Sequence, residues 1–305
     1  MIAAADRLIA NTAEEARQLT ELYHADPAKV ETVNPGADLS VFQPGTALDR
    51  HDARTRFGLA QDAVVLLFVG RVQPLKGPDV ALKTAAELIE ARPELRRTLR
   101  VVLVGGPSGR QQRADPDGMR ELAAHLGISE NVRFEPPCPQ VELAQWYRAA
   151  TVVLTPSHSE SFGLVALEAQ ACGTPVVAAR VGGLCTVVSD GCSGVLVDGH
   201  DPADWARVVS RLINAPGQLQ ALSAGARRHA SAFGWSATVE RLAKVYTGAM
   251  DEAVISRAAR VRALVADGTA EPRCRRRPRR RPRRPRPELR TRVPGRLPRP
   301  PRRGA

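Results

Sequence analysis

Short apolar runs alternate with stretches of helical periodicity along most of this 305-residue chain. The runs are rich in β-branched residues, which is typical of strands that a parallel sheet buries on both faces. We predict strands over residues 7–11, 30–33, 64–69, 100–104, 132–134, 152–154, 175–178 and 195–197. The patterns between and after them predict helices over residues 14–23, 79–91, 118–126, 141–149, 163–172, 205–213, 218–233 and 235–253.

This alternation predicts an α/β fold, in which a Rossmann-like parallel sheet carries helices on both faces. Ligands of such sheets bind beyond the carboxyl ends of the strands, so the chemistry is expected just after each strand. The polar stretch that follows Pro44-Gly45 predicts a hinge or linker. We therefore divide the chain into residues 1–45, a sheet domain at 46–232, a C-terminal helix at 233–256 and a disordered basic tail at 257–305.

The net charge of +12 arises in the tail. Residues 272–305 hold sixteen arginines and one acid, so the 28 basic and 31 acidic residues elsewhere give about −3. Prolines and like charges prevent such a segment from folding alone. An arm for nucleic acid or membrane, a solvated tail and a shifted reading frame all fit its composition. Without interleaved aromatic residues or a recognition motif, no specific nucleic-acid partner is expected.

The cysteines and the length of the longest apolar run indicate the cellular compartment of the protein. The chain has five cysteines and no C-x-x-C pair, which argues against a disulfide framework or zinc site and favours free thiols in a reducing cytosol. The longest apolar run, Val64–Val69, is far shorter than the roughly 20 residues that a transmembrane helix needs. We therefore expect a cytoplasmic protein without a transmembrane segment.

A cationic loop follows the predicted strand at 64–69. It begins with Gly70, where the backbone can turn sharply beside a ligand, and it carries Arg71 and Lys76 ahead of a predicted helix. A guanidinium fork, an ammonium group and a helix N-terminus together suit a diphosphate. Two exposed cations on a loop are the structural alternative.

Two carboxylates, Glu160 and Glu168, stand eight residues apart. Glu160 lies in the loop after a strand and Glu168 within the next helix, where a spacing of about two turns lets both face one crevice. Carboxylates accept hydrogen bonds from sugar and ribose hydroxyls. An exposed helix-face charge is the alternative for Glu168, but its apolar neighbours imply partial burial, and a buried carboxylate needs a partner.

Three motifs in this order resemble the retaining glycosyltransferases of the GT-B fold, family 4: Gly70-Arg71…Lys76, Glu160-Ser161-Phe162-Gly163…Glu168 and Gly173-Thr174-Pro175. The resemblance spans about residues 3–248. Within the family it is closest to the D-inositol-3-phosphate glycosyltransferases of mycothiol synthesis. The segments that carry this closer resemblance include Ala10–Glu15, Val33–Asp38, Gly105–Gly109 and Glu168–Pro175.

The resemblance implies transfer of N-acetylglucosamine from UDP-GlcNAc to 1D-myo-inositol 3-phosphate, with the anomeric configuration retained. It implies that Arg71 and Lys76 hold the donor diphosphate, that Glu160 contacts the donor sugar and that Glu168 contacts the ribose. Since the leaving diphosphate can take the acceptor's proton, we assign no separate general base, and we interpret the loop residue His158 as a bystander. The catalytic set is then Glu160, Arg71 and Lys76, which act through charge stabilisation and positioning.

The resemblance also implies a magnesium position built around a Tyr-Arg-x-Ala stretch and a threonine. In this chain these residues are Tyr147, Arg148, Ala150 and Thr174. A cation held mainly by backbone carbonyls is a poor magnesium site by its ligand preferences. We therefore expect a structural rather than a catalytic ion there.

The chain departs from the family pattern in two places. Cys138 stands where the family has an arginine among the donor-binding residues, so one charged donor contact is expected to be missing. Residues 1–45 resemble only the last part of the family's N-terminal acceptor domain. We expect that this polypeptide alone does not glycosylate inositol phosphate at a useful rate. We also expect an apolar inner face around 235–246, through which two copies can form a homodimer.

Three function classes therefore compete. They are a glycosyltransferase, which could use another acceptor of family 4; a UDP-sugar-binding domain without turnover; and a nucleic-acid-binding protein that acts through its arginine tail.

Overall fold

A computed structural model describes residues 2–106 and 116–267, and the predictions for residues 107–115 and 268–305 lie outside these ranges. One compact unit covers residues 1–254 and a second begins at Ile255. The strands of the described ranges are β1 (Leu8–Ala10), β2 (Val30–Thr32), β3 (Val64–Val69), β4 (Leu99–Val104), β5 (Val132–Glu135), β6 (Val152–Thr155), β7 (Val176–Ala179) and β8 (Gly194–Val197). The α-helices there are α1 (Ala13–Glu21), α2 (Ala47–Arg56), α3 (Pro78–Ala91), α4 (Pro116–His125), α5 (Gln140–Ala149), α6 (Leu164–Ala171), α7 (Leu184–Val187), α8 (Pro202–Asn214), α9 (Pro216–Ala230) and α10 (Trp235–Asp267).

Six strands form one parallel sheet in the order β5-β4-β3-β6-β7-β8. The first of them in the chain, β3, lies in the middle, and the strands extend outward from it in both directions. The order therefore reverses between β3 and β6, where a doubly wound sheet opens a crevice for ligands. Helices cover both faces, as predicted. A separate two-stranded parallel sheet joins β1 to β2.

The core lies against the central strands. Every residue of β6 and β7 is buried, as is most of β3 and β4, which explains their uninterrupted apolar sequence. Beyond the sheet, the ring of Phe57 stacks on that of Trp146 with 3.6 Å between centroids. This contact ties the segment before β3 to helix α5.

The polar stretch predicted as a linker forms helix α2. Thr46 and Asp49 build a reciprocal capping box at its start, with the Thr46 N–H donating to the Asp49 carboxylate at 2.6 Å. The helix was missed because five of its ten residues are charged, so its apolar face is short. One of these charges, Arg54, is buried and donates from Nε to the carbonyl of Ala149 at 3.0 Å, which caps helix α5.

Helix α10 corrects the predicted start of the tail. It runs to Asp267, whereas we predicted disorder from residue 257. Residues 257–267 contain neither proline nor glycine and are rich in alanine and arginine, which favour helix. The helix exposes Trp235, Val239 and Tyr246, as expected of an apolar face, and association of two copies through it stays a prediction. Among the described helices, none is long and apolar enough to cross a bilayer.

Candidate functional site

The loop after β3 and the loop after β6 meet at the point where the strand order reverses. The His158 N–H donates to the Leu75 carbonyl at 2.9 Å and joins the two loops. Gly77 has φ 65°, and a Cβ there would lie 2.2 Å from the carbonyl oxygen of Pro156. Only glycine therefore allows the cationic loop to pack this closely on the carboxylate loop.

This contact brings together two of the residues predicted from sequence. Lys76 Nζ lies 2.5 Å from Glu160 Oε2, although the residues are 84 positions apart. Ser157 Oγ lies 3.4 Å from the same carboxylate oxygen. Both charged side chains are mostly buried, with exposures of 23% and 20%. An ammonium group and a carboxylate thus lie side by side at the opening of the crevice.

Arg71 lies on the exposed part of the same loop. It follows Gly70, whose carbonyl oxygen would be only 1.8 Å from a Cβ at Gly105, the first residue after β4. Gly105 therefore lets the ends of β3 and β4 approach closely. The structure places Arg71 beside the crevice within reach of solvent, and its role toward a diphosphate stays a prediction.

Glu168 lies in helix α6, and a residue of helix α5 holds its carboxylate in place. The Tyr147 hydroxyl donates to Glu168 Oε2 at 2.8 Å, and Tyr147 is fully buried. Burial raises the pKa of Glu168 to about 7, and the hydrogen bond from Tyr147 offsets part of this rise. Burial and the neighbouring carboxylate also raise the pKa of Tyr147 well above its usual value. Glu168 is therefore poised between its neutral and charged forms near neutral pH.

The glycine pair after β7 closes the site from the other side. The Gly183 N–H donates to the Glu160 carbonyl at 2.8 Å. A Cβ at Gly182 would lie 2.2 Å from that carbonyl oxygen, and one at Gly183 would lie 2.3 Å from the Cα of Phe162. The pair therefore lets the β7 loop pack against the backbone that carries Glu160, which fixes the position of this carboxylate.

Helix α6 begins immediately after this contact. Its N-cap, Gly163, has φ 104° and provides no side-chain cap to the first turn. The backbone N–H groups of that turn thus start at the crevice, where the positive end of the helix dipole favours an anion.

Cys138 is half-buried in the loop between β5 and α5. Burial and the nearby carboxylates of Glu142 and Glu135 raise the pKa of its thiol. A neutral thiol supplies no charged donor, so this position can contribute packing but not the guanidinium contact of the family pattern. Its place among the donor-binding residues stays a prediction.

The stretch predicted to hold magnesium makes internal hydrogen bonds instead. The Tyr147 carbonyl accepts from Thr174 Oγ1 at 2.7 Å and from the Ala150 N–H at 3.2 Å. The Arg148 side chain donates from Nε to the Gln43 carbonyl at 3.1 Å. With both lone pairs of the Tyr147 carbonyl engaged, these residues fit a cation poorly. Among the described side chains, moreover, no three His, Cys, Asp or Glu residues cluster as metal ligands. We derive no step through a metal.

The structure adds a histidine that the sequence did not single out. His200, in the loop after β8, stacks on His158 with 3.9 Å between ring centroids, and its Nε2 lies 3.2 Å from the Ser157 carbonyl. It thereby supports the loop that carries Glu160. The only sequence signal was its place after a strand, since the contact joins residues 42 positions apart.

Comparison with known proteins identifies relatives of this chain. A family profile described as "Glycosyl transferases group 1" matches residues 49–229. The D-inositol 3-phosphate glycosyltransferase of Thermomonospora curvata is 63% identical over 252 residues, which are 82% of this chain and 58% of that protein. D-inositol 3-phosphate glycosyltransferase 1 of Catenulispora acidiphila is 61% identical, over 82% of this chain and 59% of its own length. The chain thus spans about three fifths of these relatives.

Solved structures agree on the fold. HepE of Anabaena, in complex with UDP, superposes with a TM-score of 0.72 at 22% identity, over 80% of this chain and 64% of that chain. The sucrose-phosphate synthase of Thermosynechococcus elongatus superposes with a TM-score of 0.71 at 29% identity, over 82% of this chain and 60% of that chain. The parallel sheet and its helices match the GT-B fold.

Proposed function

This chain belongs to the glycosyl transferases group 1 family, and from that premise we propose that it binds a UDP-sugar at the switch point and transfers the sugar to a phosphorylated acceptor. The observation that carries the proposal is the convergence of Lys76 and Glu160 at 2.5 Å where the strand order reverses. A cation there suits a phosphate, and the carboxylate beside it suits a hydroxyl.

Each contact in the proposal has a physical basis in the site. Arg71 and Lys76 would hold the diphosphate, together with the first turn of α6. Glu160, fixed by the β7 loop, would accept from the donor sugar. Glu168 would accept from ribose hydroxyls at the oxygen that Tyr147 does not occupy.

We propose that the chemical step uses no separate general base. The bond from the anomeric carbon to the diphosphate breaks, and the acceptor oxygen bonds to that carbon on the same face. The acceptor's proton passes to the leaving diphosphate. Negative charge grows on that diphosphate as the bond breaks, and preorganised cations and helix N–H groups stabilise it more strongly than they stabilise the ground state.

The finer assignment comes from relatives and from the family resemblance. The Thermomonospora and Catenulispora proteins are named for D-inositol 3-phosphate, and we propose that cyclitol phosphate as acceptor. We propose UDP-GlcNAc as donor and mycothiol synthesis as the setting. The free cysteines of the described chain suit a reducing cytoplasm.

Donor binding without turnover is the second candidate. It is favoured by the described residues, because Lys76 and Glu160 at 2.5 Å suit the donor, while the acceptor has no comparable set of contacts assigned in this site. Positioning of the acceptor can supply roughly 7–11 kcal/mol of the barrier, so a site that binds the donor without positioning the acceptor would transfer poorly.

Two measurements on the purified 305-residue chain test the proposal. Calorimetry with UDP-GlcNAc tests the donor site, and a product assay with added 1D-myo-inositol 3-phosphate tests transfer. Binding with product formation supports the transferase, whereas binding without product supports the second candidate. A chain that binds neither UDP nor UDP-GlcNAc would refute both.

A further inference from the structure

The loop after β8 reaches the loop after β6, although strand β7 lies between them in the sheet. His200 forms this contact: its ring stacks on that of His158 with 3.9 Å between centroids and 24° between the ring planes. His200 Nε2 also lies 3.2 Å from the carbonyl oxygen of Ser157. Because a carbonyl oxygen can only accept, this nitrogen carries the hydrogen and donates it. The end of β8 is thereby joined to the loop that carries Glu160.

We propose that His200 is a positioning residue for the donor site, which fixes the turn from Ser157 to Glu160 and thereby the place of the Glu160 carboxylate. The proposal rests on the proposed function and deepens it, because it adds a residue that acts on the donor sugar through Glu160 without contacting the ligand itself. His158 then serves as the ring on which His200 stacks.

The backbone on either side of His200 is fixed, so its ring is a firm support. Trp205 is fully buried and donates from Nε1 to the Gly199 carbonyl at 3.2 Å. Asp201 is the N-cap of helix α8 and accepts from the Ala203 N–H at 3.1 Å. A side chain that leaves so constrained a turn loses little further backbone entropy when it holds another loop.

Ser157 links His200 to Glu160. Ser157 is 3% exposed, and its carbonyl oxygen has no donor other than His200 among the described residues. A buried carbonyl without a partner is costly, so a turn that lost His200 would rearrange to satisfy it. The Ser157 hydroxyl lies 3.4 Å from Glu160 Oε2, so such a rearrangement would change the surroundings of the carboxylate directly.

The cationic loop has contacts of its own that do not involve His200. Lys76 ends a short 3-10 turn, Pro74–Lys76, which closes when the Gly77 N–H donates to the Pro74 carbonyl at 3.0 Å. These contacts lie within the loop itself. The diphosphate side of the site should therefore keep its shape when His200 is replaced.

The turn that presents Glu160 is less independent. Hydrogen bonds with Gly183, Leu75 and His200 tie it to the neighbouring loops. Removal of the His200 contact frees the Ser157 end, and binding residues must be held within about 0.5 Å of their productive geometry. Replacement of His200 should therefore weaken the contact to the donor sugar more than the contact to the diphosphate.

The test compares two replacements in the 305-residue chain. His200→Phe keeps an aromatic ring that can stack on His158 but has no hydrogen to donate, whereas His200→Gln loses the ring but keeps an amide donor. His51→Phe is the matched control, because His51 is an exposed histidine of helix α2, outside the loops of the site. Calorimetry measures UDP and UDP-GlcNAc separately, and a thermal melt of each variant checks that it is folded.

We expect His200→Phe to bind UDP-GlcNAc about threefold to tenfold more weakly, the loss of one neutral hydrogen bond, and UDP within about twofold of the original chain. His200→Gln should recover most of the UDP-GlcNAc affinity, and His51→Phe should match the original chain. In proton–nitrogen correlation spectra of the original chain above neutral pH, the His200 ring should carry its hydrogen at Nε2 and not at Nδ1.

A folded His200→Phe variant that binds both ligands as the original chain does would overturn the proposal. So would equal losses of UDP and UDP-GlcNAc, because the effect would then not pass through Glu160, and so would a His200→Gln variant that recovers nothing. Should His200→Phe fail to fold, the spectrum of the original chain decides, since a hydrogen at Nδ1 would rule out the bond to Ser157. If the original chain binds neither nucleotide, the proposed function fails first and this role fails with it.

Discussion

Nucleotide-sugar binding should depend on pH through Glu168. Burial raises the pKa of this carboxyl from 4.5 to about 7. Ribose hydroxyls that donate to Glu168 favour its ionised form, as does the Tyr147 hydroxyl at 2.8 Å. The free protein holds a charged Glu168 above pH 7 and a neutral one below it. Affinity should therefore be highest above pH 7 and should fall as the pH falls through this value.

The size of the effect follows from the fraction of ionised carboxyl. With a pKa of about 7, this fraction falls roughly tenfold between pH 8 and pH 6, which corresponds to about 1.4 kcal/mol of binding free energy. UDP-GlcNAc is the suitable ligand, because both of its phosphates are esterified and take up no proton in this interval. A protonated Glu168 still accepts hydrogen bonds at one oxygen, so tenfold is the upper limit.

Calorimetry in two buffers of different ionisation enthalpy measures the affinity for UDP-GlcNAc and the number of protons released on binding. We expect weaker binding at pH 6 and release of part of a proton on binding near pH 7. Glu168→Gln should bind UDP-GlcNAc more weakly at pH 8 and show no pH dependence, since its amide has no proton to release. The stacked pair of His158 and His200 is retained in that variant. A pH dependence that survives the substitution would therefore belong to another group and refute the argument.

Three further predictions concern the same site. Arg71→Ala and Lys76→Ala should each weaken UDP binding by about 1.5–3 kcal/mol, the range for charged hydrogen bonds, and unchanged calorimetric affinity would contradict the diphosphate assignment. Gly183→Ala should lower the free energy of unfolding by about 1–3 kcal/mol in urea titrations, because its Cβ would lie 2.3 Å from the Cα of Phe162; Gly217→Ala, which meets nothing within 4 Å, is the control. Glu168→Gln should stabilise the fold at pH 8 but not at pH 4, by about 2–3 kcal/mol. The pKa of Glu168 is raised from 4.5 in the unfolded chain to about 7 in the folded chain, so the stability contributed by its protonated carboxyl is lost as the pH rises between these values. An equal change in the free energy of unfolding at pH 4 and pH 8 would contradict this account.

The parallel sheet could be predicted because most of its strands are recognisable from their own sequences. Strands buried on both faces are apolar almost throughout, and β3, β6 and β7 at the centre of the sheet come closest to this condition, whereas the edge strand β5 carries Arg133 and Glu135. Their alternation with helices restricts the sheet to a doubly wound order. The sequence therefore predicted that the cations and carboxylates lie beyond the carboxyl ends of the strands, whereas the direct pairing of Lys76 with Glu160 is seen only in the folded chain.

Other features could not be predicted from the hydrophobic pattern. Helix α2 carries five charges in ten residues, and its stability comes from the Thr46 capping box and from Arg54, which reaches helix α5. The end of α10 depends on where glycine and proline return, and the change in composition at 257 was mistaken for a change in structure. The stacking of His200 on His158 joins separate loops, so only the folded chain shows it.

Under the proposed function, the pair of Lys76 and Glu160 would serve both halves of a nucleotide sugar. A largely buried ion pair contributes little net stability by itself, because the cost of removing both charges from water offsets their attraction. Its effect is positional, because each group holds the other at the switch point before a ligand arrives. The ammonium group has three donors and can keep Glu160 while it donates to a phosphate. The carboxylate likewise retains lone pairs for a hydroxyl. Under the proposed function, donor binding therefore need not break the pair, because the ammonium group would face the phosphate while the carboxylate would face the sugar.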